Sequence, residues 1–90
     1  MSGYVKRYWT EPRGDEHDAW GTLWWFFEID HRGNVARQME HYQNGRVLKY
    51  DQTNSDDEFG GLSTEPLDVN DSSFIPISGR EFERLWNGTE

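Results

Sequence analysis

The side chains that could do chemistry in this chain are mainly carboxylates and histidines, because it contains no cysteine. The run Asp15-Glu16-His17-Asp18 groups oxygen and nitrogen ligands of the kind that hold divalent metal ions. No metal-ligand spacing supports the run, and four adjacent side chains seldom converge on one ion. We interpret it as a solvated loop and predict no metal or cofactor site.

Catalysis by acid–base or nucleophilic groups also lacks a convincing set. The histidines are widely spaced, at His17, His31 and His41. Glu40 and His41 are neighbours on a predicted strand, so they point to opposite faces and cannot act together. Glu28 is a candidate for a carboxyl in an apolar pocket, because Trp24 and Phe26 alternate with it. A solvated strand carboxylate is the simpler explanation. We therefore predict no catalytic residue and expect the chain not to be an enzyme.

Charge is distributed very unevenly along the chain. The net charge is −8, yet residues 1–50 balance seven basic against seven acidic side chains. Residues 51–71, here called the acidic segment, contain no lysine or arginine and carry Asp51, Asp56, Asp57, Glu58, Glu65, Asp68 and Asp71. A one-sided negative field attracts cationic partners and repels nucleic acid and anionic lipid. The segment is thus either a docking strip for a basic protein or a solvated loop that maintains solubility.

Length and composition predict one small domain over residues 1–90. Five Trp, five Phe and four Tyr supply the apolar area that such a short chain needs for a core. The N-terminal residues lack the apolar run of a signal peptide, and the apolar stretch 23–27 is too short to span a bilayer. A cytoplasmic protein is expected.

Apolar alternation and turn residues predict four strands, at 4–9, 23–30, 35–43 and 46–51, joined as an antiparallel meander. Asn44-Gly45 predicts a two-residue hairpin turn, which places Glu40 opposite Lys49. In the preceding hairpin Ile29 is placed opposite Val35. One face then collects Trp25, Phe27, Ile29, Val35, Met39, Leu48 and Tyr50. The other face carries Trp24, Phe26, Tyr42 and Val47 among Glu28, Gln38, Glu40 and Lys49.

A C-terminal helix is predicted at 78–87, capped by Ser78 and ended by Gly88. Its apolar stripe is Phe82, Leu85 and Trp86, which we dock on the Trp25 face. Residues 52–77 are expected to be mostly irregular and pinned to the sheet by Phe59, Leu62, Leu67, Val69, Phe74 and Ile75. The predicted fold is therefore α+β, a four-stranded antiparallel meander with one C-terminal helix packed on one face.

This arrangement leaves aromatic side chains on a sheet face that no helix covers. Trp24, Phe26 and Tyr42 should be partly exposed unless residues 52–77 or the first strand cover them. An exposed aromatic patch with a polar rim is typical of an interaction surface. Coverage by the long loop is the alternative, because monomers seldom leave large apolar patches exposed.

The chain resembles a family of small acidic bacterial proteins of about this length. The resemblance lies in Phe27-Glu28-Ile29-Asp30, Gly33, Arg37-Gln38, Glu40, Tyr42, Gly45-Arg46 and Asp51, and in Ile77-Ser78, Glu81-Phe82-Glu83 and Trp86. It implies a compact bacterial α+β protein and brings no activity or catalytic residues. By size and charge alone the chain is also similar to immunity proteins, which bind and block a basic toxin domain.

Together these observations predict a non-enzymatic binding protein, an inhibitor or immunity protein with a basic protein partner. The expected contact residues are Trp24, Phe26 and Tyr42 with Asp51, Asp56, Asp57 and Glu58. Two alternatives stay open: a small-ligand or hydrolytic domain with a pocket between sheet and loop, and a homodimer that buries the Trp24 face.

Overall fold

The computed structural model describes residues 3–11, 13–68 and 70–88. The first four strands are Gly3–Trp9 (β1), Leu23–Ile29 (β2), Val35–Tyr42 (β3) and Val47–Tyr50 (β4). Short strands Asp56–Asp57 (β5), Gly60–Gly61 (β6) and Ile75–Pro76 (β7) follow, and then the helix Gly79–Trp86 (α1). The predicted α+β class, the antiparallel meander and the C-terminal helix are confirmed.

The predicted number of strands in the main sheet, four, was too low. Across the described ranges the main sheet has five strands in the order β4-β3-β2-β1-β7, and β5 pairs with β6 as a separate hairpin. The fifth strand has only two residues, one of them a proline, which gives no sequence signal for a strand. Pro76 is compatible with this position because β7 is the outermost strand of the sheet. Its missing N–H therefore removes no hydrogen bond between inner strands.

A β-bulge displaces β3 against β2. Ile29 pairs with Val35 as predicted, but the register shifts between Glu28 and Ile29, so that Glu28 pairs with Arg37. Ala36 is the extra residue. From there on β3 is one residue out of the predicted register, and since strand side chains alternate, its predicted face assignments are inverted. Met39 therefore lies on the Phe26 face, whereas Gln38, Glu40 and Tyr42 lie on the Trp25 face.

The turn between β3 and β4 also differs from the prediction. Tyr42 N–H donates to the carbonyl of Arg46, which leaves the three residues 43–45 in the loop instead of two. The backbone N–H groups of Gln43 and Asn44 donate to the backbone carbonyls of Thr22 and Trp20, respectively. These bonds account for the extra loop residue. Glu40 is consequently opposite Leu48, not Lys49.

Helix α1 forms as expected but covers the other side of the sheet. Ser78 Oγ accepts a hydrogen bond from the backbone N–H of Glu81 at 3.0 Å, and Gly88 follows the helix with φ +73°. Phe82 is completely buried against Phe26 and Met39. This side, the helix face, is the Trp24 face, so docking on the Trp25 face was wrong.

The Trp25 side of the sheet, the loop face, is covered by irregular chain. A short 3₁₀ helix at Asp18–Trp20 places buried Trp20 beside Tyr42 and Leu48. Phe59, Leu62, Leu67 and Phe74 pack onto the same face, as predicted for four of the six pinning residues. Ile75 is instead 43% exposed, and Val69 lies outside the described residues. The sheet is thus covered on both faces.

Candidate functional site

The acidic segment is bonded to the loop face by buried polar side chains. Gln38 is 2% exposed, and its Nε2 donates to the carbonyl of Gly61 at 3.1 Å while its Oε1 accepts from the N–H of Ser63 at 2.9 Å. Fully buried Tyr50 donates its hydroxyl to Asp57 Oδ1 at 2.9 Å. These bonds hold the β5–β6 hairpin at a fixed place over the sheet.

Arg13 attaches a second loop to the same hairpin. Its Nη2 donates to the carbonyl of Phe59 at 2.7 Å and its Nη1 to the hydroxyl of Tyr42 at 3.0 Å. Its Nε donates to the carboxylate of Asp15 at 3.1 Å. The guanidinium therefore joins the 13–20 loop, strand β3 and the β5–β6 hairpin.

Glu40 is the buried carboxyl of this network. It is 4% exposed, accepts a hydrogen bond from the Tyr42 hydroxyl at 2.7 Å and one from Gln38 Nε2 at 3.1 Å. Burial, which penalises the charged form, raises the pKa of Glu40 despite both bonds. Burial and the neighbouring Glu40 raise the pKa of Tyr42 to about 12. Glu40 thus links the Tyr42 hydroxyl and the Gln38 side-chain amide in one buried network.

The acids of the segment divide into two classes. Asp51, Asp68 and Asp71 accept hydrogen bonds from backbone N–H groups two or three residues further on, and Asp57 accepts those of Phe59 and Gly60. Asp56, Glu58 and Glu65 are exposed, and their side chains make no hydrogen bond or ion pair with a described residue. The carboxylates of the first class stabilise turns of the backbone. The second leaves its carboxylates available.

Two of these available carboxylates line a groove. Its volume is about 550 Å³, and its lining residues are Asn34, Val35, Gln52, Ser55, Asp56, Gly61, Leu62, Ser63, Thr64 and Glu65. No lysine or arginine is among them. We call it the acidic groove.

The predicted aromatic anchors are not brought together. Phe26 is 7% exposed on the helix face, and Tyr42 is 5% exposed on the loop face. Trp24 is half-buried on the helix face, with the ring of Tyr8 at 5.0 Å and the ammonium of Lys6 at 4.8 Å from its own ring. The expectation that Trp24, Phe26 and Tyr42 share one exposed patch was wrong, because the β3 bulge moves Tyr42 and helix α1 covers Phe26.

The predicted acidic contact residues lie where a partner can reach them, but they differ in exposure and in the hydrogen bonds that they already accept. Asp56, Asp57 and Glu58 are all exposed at the β5–β6 hairpin, although Asp57 already accepts three hydrogen bonds. Asp51 is half-buried and closes the turn after β4, where the Thr53 hydroxyl and nearby N–H groups lower its pKa. Asp56 and Glu58 are therefore the predicted acids best placed to bind.

Most of the candidate catalytic and metal-binding side chains make structural contacts instead. Glu28 Oε1 accepts from Arg37 Nε on the helix face, at 2.5 Å. The ring of His41 packs 4.9 Å from that of Phe26, and the ring of His17 lies 4.5 Å from Trp20. Asp15 and Asp18 accept hydrogen bonds within their own loop. Among the described residues no three histidine or acidic side chains are grouped so as to hold a metal ion.

A second cavity lies beside the acidic groove, between the sheet and the loop. It has a volume of about 360 Å³ and is lined by Arg7, Trp9, Trp25, Phe27, Gln38, Gly61, Ser63, Leu67 and Phe74. We call it the aromatic pocket. Neither Glu28 nor His41 lines it. Sequence reasoning missed Arg7 and Trp9, although their alternation with buried Val5 on β1 was the signal that placed them on the core-facing side.

Comparisons with protein-family models, with curated proteins and with solved structures return no match. No helix in the described ranges is long and apolar enough to cross a bilayer.

Proposed function

We propose that this protein is a non-enzymatic binding module for a basic protein partner, and that the acidic groove is the centre of its docking surface. The observation that carries the proposal is the groove itself. Asp56 and Glu65 line it with carboxylates that have no partner among the described residues, and none of those residues that lines it is lysine or arginine. A lysine or arginine side chain of the partner would supply the missing cation.

The surroundings of the groove support a binding role over a purely solvating one. Gln38 and Tyr50 bond to the chain beside the groove, so the backbone that carries the groove carboxylates is held in place before a partner arrives. Preorganisation lowers the entropy cost of association, and a one-signed surface raises the rate of encounter with an oppositely charged protein. An inhibitor or immunity protein that blocks a basic target is the most concrete form of this function.

The location of the contact surface differs from the sequence-based hypothesis. Phe26 and Tyr42 are interior residues in this monomer, so they contribute to stability and not to direct contact. The surface proposed here consists of Asp56, Glu58 and Glu65 around the groove. A basic partner, the absence of nucleic-acid or membrane binding, and a cytoplasmic location stay predictions.

A comparison of charge-matched variants tests the proposal. Asp56→Asn/Glu65→Gln removes two negative charges at the groove. Glu81→Lys changes the net charge by the same two units on the helix face, where Glu81 lies 3.9 Å from Lys6. Proteins captured from a bacterial lysate by the wild type should be basic, should be lost with the groove variant and should be retained with Glu81→Lys. Equal capture by all three proteins would contradict the proposed groove.

A further inference from the structure

We propose that the aromatic pocket binds a small aromatic carboxylate, a function beyond the partner binding proposed above. Four aromatic residues form its walls: Trp9, Trp25, Phe27 and Phe74. The rings of Trp25 and Phe27 are parallel within 5° at a centroid distance of 5.8 Å, and Phe74 meets Phe27 edge-on at 6.1 Å. Flat walls of this kind favour a flat, apolar ligand body.

The size of the pocket limits the ligand. A volume of about 360 Å³ lies at the low end of the range of roughly 300–1,000 Å³ that is usual for small-molecule sites. One aromatic ring with a short side chain fits this space better than a nucleotide or a long peptide. Trp9 is 39% exposed at the end of β1, so the pocket can be reached from outside.

Arg7 decides the charge of the ligand. Within the described part of the chain it is the only ionisable side chain that lines the pocket, and its guanidinium lies 5.1 Å from the Trp9 ring and 5.3 Å from the Phe74 ring. No described carboxylate lies within ion-pair distance of it; Asp71 is near enough only for the charge of Arg7 to add to the Ser73 hydrogen bonds that lower the pKa of Asp71. Its N–H donors are therefore available, and a guanidinium binds a carboxylate through two parallel hydrogen bonds.

The remaining polar groups of the pocket are already used. Gln38 bonds Glu40, Gly61 and Ser63, and the Ser63 hydroxyl donates to the carbonyl of Glu65 at 3.1 Å. Aromatic walls can also bind a cationic ligand. Here Arg7 already occupies the cation position over two rings and would repel a second cation, so an anion is the better match.

Three probes of one shape test the inference: 3-phenylpropionate, 3-phenylpropanamide and 3-phenylpropylamine. Binding is followed by amide and indole NMR shifts of the ¹⁵N-labelled full chain at constant ionic strength. We expect 3-phenylpropionate to shift signals of Arg7, Trp9, Trp25 and Phe74, and to bind about tenfold more tightly than the amide. The amine should bind most weakly.

A matched pair of arginine variants completes the test. Arg7→Met should weaken 3-phenylpropionate binding about tenfold, and Arg7→Lys should restore part of it. The control is Arg46→Met, because Arg46 is likewise stacked on aromatic rings, 4.5 Å from Trp20 and 5.7 Å from Phe59, but does not line the pocket. It should bind like the wild type.

Three outcomes would overturn the inference: no probe shifts the pocket signals, the amide or amine binds as tightly as the carboxylate, or Arg46→Met loses as much binding as Arg7→Met. The probe comparison on the wild type stands even where a variant folds poorly. It is also independent of lysate capture, so failure here leaves the acidic groove untouched and failure there leaves the pocket untouched.

Discussion

At the residue scale, Glu40 shows how a buried carboxyl is tolerated. Each of its oxygens accepts one hydrogen bond, Oε1 from Tyr42 and Oε2 from Gln38, but burial still raises its pKa. Ionising Glu40 in the folded state lowers the free energy of unfolding at neutral pH, because the unfolded chain ionises this carboxyl without the burial penalty.

The pH dependence of stability should reveal this cost. Since the folded pKa of Glu40 is raised, the folded state retains its proton more strongly than the unfolded state. Stability contributed by the neutral form is complete below the unfolded pKa of roughly 4.3 and is lost as the pH rises through the folded value. We expect the wild type to lose stability relative to Glu40→Gln between these values, measured by urea unfolding with tryptophan fluorescence.

Glu83→Gln provides a control of opposite sign for this experiment. The hydrogen bond from Arg37 lowers the pKa of Glu83, so its contribution is complete above the unfolded pKa and is lost as the pH falls. The wild type should lose stability relative to Glu83→Gln only on acidification. A difference between wild type and Glu40→Gln that stays flat from pH 4 to pH 8 would contradict the assignment.

Neighbouring aspartates in β5 should differ sharply in their effect on stability. Asp57 Oδ1 accepts from the Tyr50 hydroxyl and from two backbone N–H groups, whereas the Asp56 carboxylate accepts no hydrogen bond from a described residue. Asp57→Ala leaves the buried Tyr50 hydroxyl without its acceptor and should cost about 1–2 kcal/mol of unfolding free energy. Asp56→Ala should change it by less than about 0.5 kcal/mol. Equal effects in urea unfolding would show that the two classes of acid are not distinct.

At the element scale, one glycine connects the β2–β3 turn to the covering loop. Gly33 has φ +84°, and its carbonyl accepts a hydrogen bond from the N–H of Leu67 at 2.8 Å. A Cβ added there would lie 2.7 Å from the carbonyl oxygen of Leu67, which is backbone and cannot rotate away. Position 33 therefore requires glycine for two separate reasons, the positive φ of the turn and the close approach of the Leu67 carbonyl.

Gly45 allows these two reasons to be separated. It also has positive φ, +94°, but a Cβ added there meets nothing within 4 Å. Gly45→Ala should cost about 1–2 kcal/mol for the backbone conformation alone. Gly33→Ala should cost at least about 1 kcal/mol more, because it also displaces Leu67. Thermal unfolding of the two variants measures the difference, and equal costs would mean that the contact with Leu67 contributes nothing.

Local sequence signals predicted the elements and the order in which β1 to β4 pair, but not the register of β3 or the sheet face that α1 covers. Alternation located β1 to β4, and the Ser78 cap with Gly88 located α1, because these signals lie within the elements themselves. The bulge at Ala36 and the three-residue loop after Tyr42 depend on tertiary bonds such as Gln43 N–H to the Thr22 carbonyl. A one-residue shift inverts a strand, so the face assignments of Met39, Gln38, Glu40 and Tyr42 were wrong.

The side of the sheet that α1 covers was likewise not predictable from an apolar stripe. Both sheet faces carry large aromatic side chains, so the stripe of Phe82, Leu85 and Trp86 could match either one. Arg37 makes the helix face specific. Its guanidinium contacts the carboxylates of Glu28 and Glu83 and lies 4.9 Å from the Phe82 ring. Arg37 belongs to β3, so the sheet face on which it lies depends on the bulge.

At the scale of the whole molecule, the two sheet faces have different kinds of cover. Helix α1 covers Phe26 and Met39 on the helix face with apolar contacts and the Arg37 ion pairs, while Tyr8 at the edge of this face is 45% exposed. The loop face is covered by chain that is short of apolar residues and rich in acids, so it is held by buried polar side chains and leaves two cavities. The sequence indicated the acidic segment and left open a pocket between sheet and loop, but it did not indicate which residues line either cavity, because both are formed between segments distant in the chain.

Association kinetics test most directly whether the acidic groove is the docking surface of this protein. A partner captured by the wild type is mixed with the wild type, with Asp56→Asn/Glu65→Gln and with Glu81→Lys at low and at physiological ionic strength. We expect the groove variant to associate about tenfold more slowly and Glu81→Lys to stay close to the wild type. Salt should slow the wild type most, since it screens the attraction. Equal slowing by both variants, or a wild-type rate that salt does not change, would contradict the account.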